Sequence, residues 1–200
     1  MLKNNKILKE LLIGFIGGFI VFISSFITFY ITRKQAKIVY LDLDESKTIE
    51  NEEPAKYPFL QKEMSDYICK LSEELKINSD LVVSILLVEN PEFNPDAVHR
   101  NENGTVDFGL FQINDKYTWS TFIPKYWRMG IEFNPFNWKH NAFLAMHHIE
   151  YLSSRLKIQD EIIMAYNCGE GAVMKNQIPE STKVYLSRVK NDLKLLTNLS

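Results

Sequence analysis

Glu89 closes a run, Leu81-Val82-Val83-Ser84-Ile85-Leu86-Leu87-Val88, that is apolar almost all round. Such a run reads as a buried helix. Pro91 biases Asn90 away from helical geometry, so the helix is expected to end at Glu89 or Asn90. Glu89 then lies at the negative end of the helix dipole, at the edge of an apolar core. Both effects penalise the ionised carboxylate and push its pKa upward. An acid that keeps its proton near neutral pH can protonate a leaving oxygen, as cleavage of a glycosidic bond requires. Position alone reads equally well as an ordinary solvated glutamate at a helix end. Glu92, in Pro91-Glu92-Phe93, is the neighbouring carboxylate and lacks the buried helix behind it.

The elements that must position this acid are legible as periodicities. Met64, Tyr67, Ile68 and Leu71 recur at helical spacing within 60–76, and Asn78-Ser79-Asp80 is an N-cap cluster for the Glu89 helix. From Pro91 to Asp107 the chain is rich in Asn, Pro, Asp and Gly. Asn103-Gly104 signals a hairpin turn, with Val98 and Val106 as short strands on either side. An aromatic region follows, with Trp119, Phe122, Tyr126, Trp127, Phe133, Phe136 and Trp138. The tryptophans could stack on sugar rings, but large aromatics more often fill cores, and at least two of the three are expected there. Helices are predicted over Phe143–Leu156, over Ile158–Tyr166 with Gly169 and Gly171 as its stop, and over Pro179–Leu196. The sum is a mainly α domain (α+β by its one small hairpin) over 57–200, large enough for a single core, with no internal repeat.

The N-terminal part differs in kind. After a short tail, 1–10, the stretch from Leu11 to Thr32 carries no charge and as a helix would span about 33 Å, enough for a bilayer core. A cleaved signal peptide would have a shorter apolar region and a small-residue cleavage site, whereas Arg33-Lys34-Gln35 follows here. An uncleaved transmembrane signal anchor is therefore expected over 11–32. Lys3, Lys6 and Lys9 precede it and Arg33, Lys34 and Lys37 follow, so the positive-inside rule assigns no orientation. Residues 33–56 read as an acidic, solvated linker, with a short strand or interfacial segment at 38–41.

From Tyr57 onward there are 15 Lys and Arg against 18 Asp and Glu, which argues against nucleic acid as a partner. Cys69 and Cys168 make at most one bridge; two unpaired buried thiols are the simpler expectation. His147 and His148 point about 100° apart on a helix and do not share a ligand site, so no metal site is expected.

Four motifs in order resemble the soluble lytic transglycosylase domain, a lysozyme-like family. Glu89-Asn90-Pro91-Glu92-Phe93-Asn94-Pro95-Asp96-Ala97 is similar to the family's Glu-Ser-x-Phe-Asn-Pro-x-Ala. Asp107-Phe108-Gly109-Leu110-Phe111-Gln112-Ile113-Asn114 resembles its Gly-Leu-Met-Gln-Ile. Ala165-Tyr166-Asn167-Cys168-Gly169-Glu170-Gly171 resembles its Ala-Tyr-Asn-Ala-Gly-x-Gly, and Thr182 to Val189 its following Thr-x-x-Tyr-x-x-x-Val. The chain departs from the pattern where Asn90 stands for serine, where Phe93 lies one residue farther from Glu89, and where Phe111 and Cys168 stand for methionine and alanine.

The resemblance implies a lysozyme-like fold behind one transmembrane helix, with Glu89 as general acid and then base. It implies substrate contacts from Gln112, Tyr166, Asn167, Phe111 and Tyr185, each of which has a plainer reading as core packing, capping or amide pairing. It implies no metal or organic cofactor. The expected substrate is the peptidoglycan glycan strand, cut between N-acetylmuramic acid and N-acetylglucosamine to leave 1,6-anhydro ends. The catalytic domain would then face the extracytoplasmic side of a single-pass cell-membrane protein, serving growth, a secretion or conjugation apparatus, or a phage. Asp107 also holds the place of the second catalytic carboxylate in the hairpin of animal-type lysozymes, which would make a water-using muramidase; its other reading is a hairpin hydrogen-bonding residue. A non-catalytic glycan-binding scaffold is the remaining alternative.

Overall fold

The spacing of Met64, Tyr67, Ile68 and Leu71 lays down α1 (Lys62–Leu75), with all four side chains buried. The structure is a computed structural model that describes residues 54–127 and 132–198, without the side chains of 124–127. The charge-free segment 11–32, the strand expected at 38–41 and the linker up to residue 53 lie outside the described residues. Among the described residues no helix is long and apolar enough to cross a membrane.

The all-apolar run becomes α2 (Ser79–Glu89), buried from Asp80 to Leu86. Asn78 caps it by accepting from the Asp80 and Leu81 amides at 2.8 and 3.4 Å. Its first turn is tied down by Asp80, which accepts the Tyr57 hydroxyl at 2.8 Å and pairs with Lys56 at 2.9 Å. A carboxylate suits that end of a helix, where the dipole is positive. The last turn ends at Glu89 because Asn90 leaves helical geometry at φ −152°, as the following proline demands.

The hairpin forms with Gly104 at φ +78° in its turn. Strands β1 (Val98–Arg100) and β2 (Val106–Phe108) pair antiparallel, with His99 opposite Asp107. A third strand, β3 (Ile113–Asn114), was not expected; it pairs with β2 so that Asn114 faces Asp107. A five-residue π-helical turn (Asp115–Trp119) follows, then α3 (Ser120–Trp127).

The remaining helices are α4 (Trp138–Arg155), α5 (Gln159–Cys168), α6 (Glu170–Met174) and α7 (Glu180–Thr197). α4 starts at Trp138 rather than Phe143, because Asn137 caps it by accepting from the Lys139 and His140 amides. Gly169, at φ +85°, ends α5, but Gly171 is no stop; it lies inside α6. Helix α2 packs most extensively against α7, and α1 packs against α4, so the acid helix is enclosed by its neighbours. Trp119 and Trp138 are half-buried rather than core, Trp138 meeting Tyr67 edge-on at 5.4 Å. Cys69 and Cys168 are unbonded and half-buried, not fully buried; burial still pushes both thiols up.

Gly109 is where these parts meet. Its amide donates to the Ala97 carbonyl at 2.7 Å, and its backbone sits at φ +71°. A Cβ there would stand 2.5 Å from both Asn141 Nδ2 and the Pro135 carbonyl. Gly104 has a similar φ and open space around it. Gly109→Ala should therefore cost more than ~3 kcal/mol of stability and Gly104→Ala about 1 kcal/mol, readable as denaturant midpoints. Equal costs would show that the close approach at Gly109 relaxes freely.

Candidate active site

Glu89 stands at the C-terminal end of α2 with partial solvent access, although its carboxyl is enclosed by protein on nearly every side. Burial pushes its pKa up to about 7. The Tyr185 hydroxyl opposes that shift by donating to Oε1 at 2.8 Å, and the charge of Asp107 adds to it. Tyr185 comes from α7, the helix packed along α2, so the bond spans two elements remote in sequence.

Tyr166 lies on α5 and donates to the Phe111 carbonyl at 3.0 Å. Burial, together with the charges of Glu89 and Asp107, holds its hydroxyl well above the usual tyrosine range. Tyr185 is raised the same way, by burial first and Glu89 next. Both phenols therefore keep their protons and act as donors at neutral pH. Three of the expected residues, Glu89, Tyr166 and Tyr185, thus face one another, and Asp107 lies within electrostatic reach of two of them.

Asp107 is held by two amides. Asn101 Nδ2 donates to one carboxylate oxygen at 2.8 Å and Asn114 Nδ2 to the other at 2.6 Å. Thr105 receives the same two amides at 3.0 and 2.9 Å, which ties the hairpin turn to β3. Gln112 sits at φ +48°, an uncommon conformation for a side chain of its size, and its amide donates to the Gly109 carbonyl at 2.8 Å. Asn167 is exposed at the end of α5, with its Oδ1 accepting from Thr182 at 2.7 Å.

Phe111 is placed otherwise than a sugar contact would need. Its ring is fully buried, as is the neighbouring Leu110. It serves the site through its backbone: the amide donates to Asn141 Oδ1 at 2.7 Å and the carbonyl holds Tyr166.

Several residues that matter here carry no local sequence signal. Asn141, buried on α4, also donates to the Phe108 and Pro135 carbonyls at 2.8 and 3.1 Å, so one side chain fixes the loop before Gln112. His148 packs its ring 5.4 Å from that of Tyr166, with Nδ1 3.5 Å from Thr118 Oγ1. Burial lowers its pKa to about 4, against the pull of Glu170, so it supports Tyr166 as a neutral ring. Their partners lie 30 residues or so away in sequence, or on another helix, and only folding reveals them. Among the described residues no three His, Cys, Asp or Glu side chains are grouped to hold a metal ion.

A mainly helical domain with a three-stranded antiparallel sheet and a glutamic acid of raised pKa at the end of its enclosed helix has the architecture of a lysozyme-like glycosidase. The chain belongs to the transglycosylase SLT domain family, whose model matches residues 66–184. No curated protein matches the chain. The matched span takes in Glu89, Asp107, Phe111, Gln112, Tyr166 and Asn167, and Tyr185 follows it directly. Membership makes the chain a glycosidase-type enzyme of peptidoglycan.

The raised pKa of Glu89 has a stability consequence. The folded state binds the proton more tightly than the unfolded chain does, so stability is full below the unfolded value of 4.5 and falls as pH rises through about 7. Glu89→Gln removes that loss. At pH 8 it should be more stable than the native chain by ~3 kcal/mol, and at pH 4 the two should match, as measured by chemical denaturation at both pH values.

Proposed function

We propose that the chain is a membrane-anchored lytic transglycosylase in which Glu89 is both acid and base. The observation that carries this reading is the enclosed Glu89 carboxyl, protonated up to about pH 7 and oriented by Tyr185 at 2.8 Å. Glu89 gives its proton to the oxygen between N-acetylmuramic acid and N-acetylglucosamine as the C1–O bond breaks. The acetamido carbonyl of the muramic residue supports the positive charge at C1. The Glu89 carboxylate then takes the proton of the C6 hydroxyl, whose oxygen closes on C1. The product is a 1,6-anhydro end, and Glu89 returns to its protonated form.

Each partner has a part that its bonds permit. Tyr185 accompanies Glu89 through both states, since a hydroxyl donates to carboxyl and carboxylate alike. Tyr166 is a fixed, neutral phenol wedged between the acid and the Phe111 carbonyl. Asn167 is exposed and Thr182 holds its oxygen, which leaves the amide nitrogen as the group to donate to the acetamido carbonyl. Gln112 lines the loop above Gly109.

Asp107 supports a second reading, a water-using muramidase, because its charge reaches Glu89. The first reading is preferred because both Asp107 oxygens already accept amide hydrogens from Asn101 and Asn114. That leaves a carboxylate held for hairpin structure and field rather than one free to take up a water. Residues 11–32 would anchor the enzyme and 33–56 would let it reach the wall, with the catalytic domain outside the membrane.

Digestion of purified peptidoglycan by the detergent-solubilised full chain, read by mass spectrometry, separates the readings. Anhydro-muropeptides, lighter by one water than their reducing counterparts, are expected, together with loss of nearly all activity in Glu89→Gln, at least ~100-fold. Reducing ends would make the chain a muramidase and Asp107 its second carboxylate.

A further inference from the structure

Asn90 follows the acid directly and is the cap residue of α2, with its own amide making the last helical bond, to the Leu86 carbonyl at 2.9 Å. Its side chain is buried at 5% exposure. A buried amide of this kind must find partners for both its ends. Asn90 finds them in one residue: Oδ1 accepts from the Asn94 amide at 3.1 Å, and Nδ2 donates to the Asn94 carbonyl at 2.6 Å. A side-chain amide carries the same donor and acceptor as a peptide group, so Asn90 clasps Asn94 as a neighbouring strand would. Nδ2 also lies 3.5 Å from the Gly109 carbonyl, the oxygen that holds Gln112.

The loop so closed is under constraint. The Asn90 carbonyl accepts the Phe93 amide at 3.0 Å, and Phe93 sits at φ +52°, which a bulky aromatic rarely adopts. Such a conformation persists where its surroundings over-determine it. A serine at position 90 has a shorter reach and carries its donor and its acceptor on one oxygen, so it cannot set separate atoms against the Asn94 amide and carbonyl as Nδ2 and Oδ1 do. The same loop carries one residue more between Glu89 and Phe93 than the motif it resembles, Glu-Ser-x-Phe. The longer loop and the two-ended side chain answer each other.

We propose that Asn90 is the positioning residue of the acid: its amide spans the lengthened 90–94 loop and fixes the end of α2 that carries Glu89. The inference rests on the glycosidase reading for its kinetic test, and has a second test that does not. Glu89 is faced by Tyr185 from α7, Tyr166 from α5 and Asp107 from β2, none of which is bonded to the Asn90 side chain. What changes is the enclosure of the helix end, so a loosened loop wets Glu89 and its pKa falls toward 4.5.

The full chain in detergent would be compared with Asn90→Ser and with Asn90→Ser lacking Glu92, which restores the shorter spacing. In Asn90→Ser, kcat should fall about tenfold with KM nearly unchanged, and the basic limb of the kcat–pH profile should move to lower pH. Removing Glu92 in that background should restore most of both. The Glu89 titration, followed by 13C NMR, should move down in Asn90→Ser whether or not turnover is detected. A folded Asn90→Ser with the native kcat and native Glu89 titration overturns the proposal. So does a variant that loses thermal stability alone. If neither variant folds, the clasp serves the fold rather than the acid, and the positioning role falls. An inactive native chain with the titration shift intact would remove the glycosidase reading and leave the role of Asn90 standing.

Discussion

Enclosing one carboxyl group at the end of an apolar helix is the constraint from which the rest of this domain can be understood. A glutamate in water is fully ionised at neutral pH; at the end of α2 a large share keeps its proton, because burial raises the pKa to about 7. That environment has to be built. Helix α2 must be buried along its length, which requires α7 and α1 against it. The dipole end must face away from solvent, which requires a loop folded back over Asn90. The remaining polarity is met by Tyr185 with a single donated bond, which favours the carboxylate but is outweighed by burial. Its own burial keeps that hydroxyl protonated.

Asparagine is the side chain that does most of this assembly. Asn78 and Asn137 start the two helices that flank the core, each accepting two backbone amides. Asn114 both caps the π-helical turn and donates to Asp107. Asn141 and Asn90 both reach the backbone around Gly109. A short amide with a donor and an acceptor can substitute for a missing peptide partner wherever the chain is irregular. The loops between α2 and α4 are long and irregular, so the demand is concentrated there. Gly109 is at the centre because only a residue without a Cβ leaves room for Asn141 and for the Pro135 carbonyl.

Much of this was legible from local pattern. The extent of α2 followed from its apolar run, the Asn78 cluster and Pro91, and the hairpin from Asn103-Gly104. The mainly α class followed from the same periodicities, and four short motifs in order led to the family. What escaped was set by tertiary contact. β3 is two residues long and carries no strand signal of its own; it exists because Asn114 finds Asp107. α4 begins at a cap, Asn137, in a stretch whose aromatics masked it. Phe111 was expected to contact substrate from the motif it resembles, yet its ring is buried and its carbonyl holds Tyr166. His148 gave no sign of being the neutral support beneath Tyr166, since a histidine on a helix reads the same whether it is exposed or enclosed.

The titration of Glu89 itself tests the central claim most directly. Selective 13C labelling of glutamate carboxyls in the native chain, with Glu89→Gln to assign the resonance, would report its pKa without reference to substrate. A midpoint near 7 is expected from the enclosure of the carboxyl. A midpoint at the ordinary glutamate value of 4.5 would mean that water reaches the helix end freely, and the acid would lack the proton that the proposed cleavage needs.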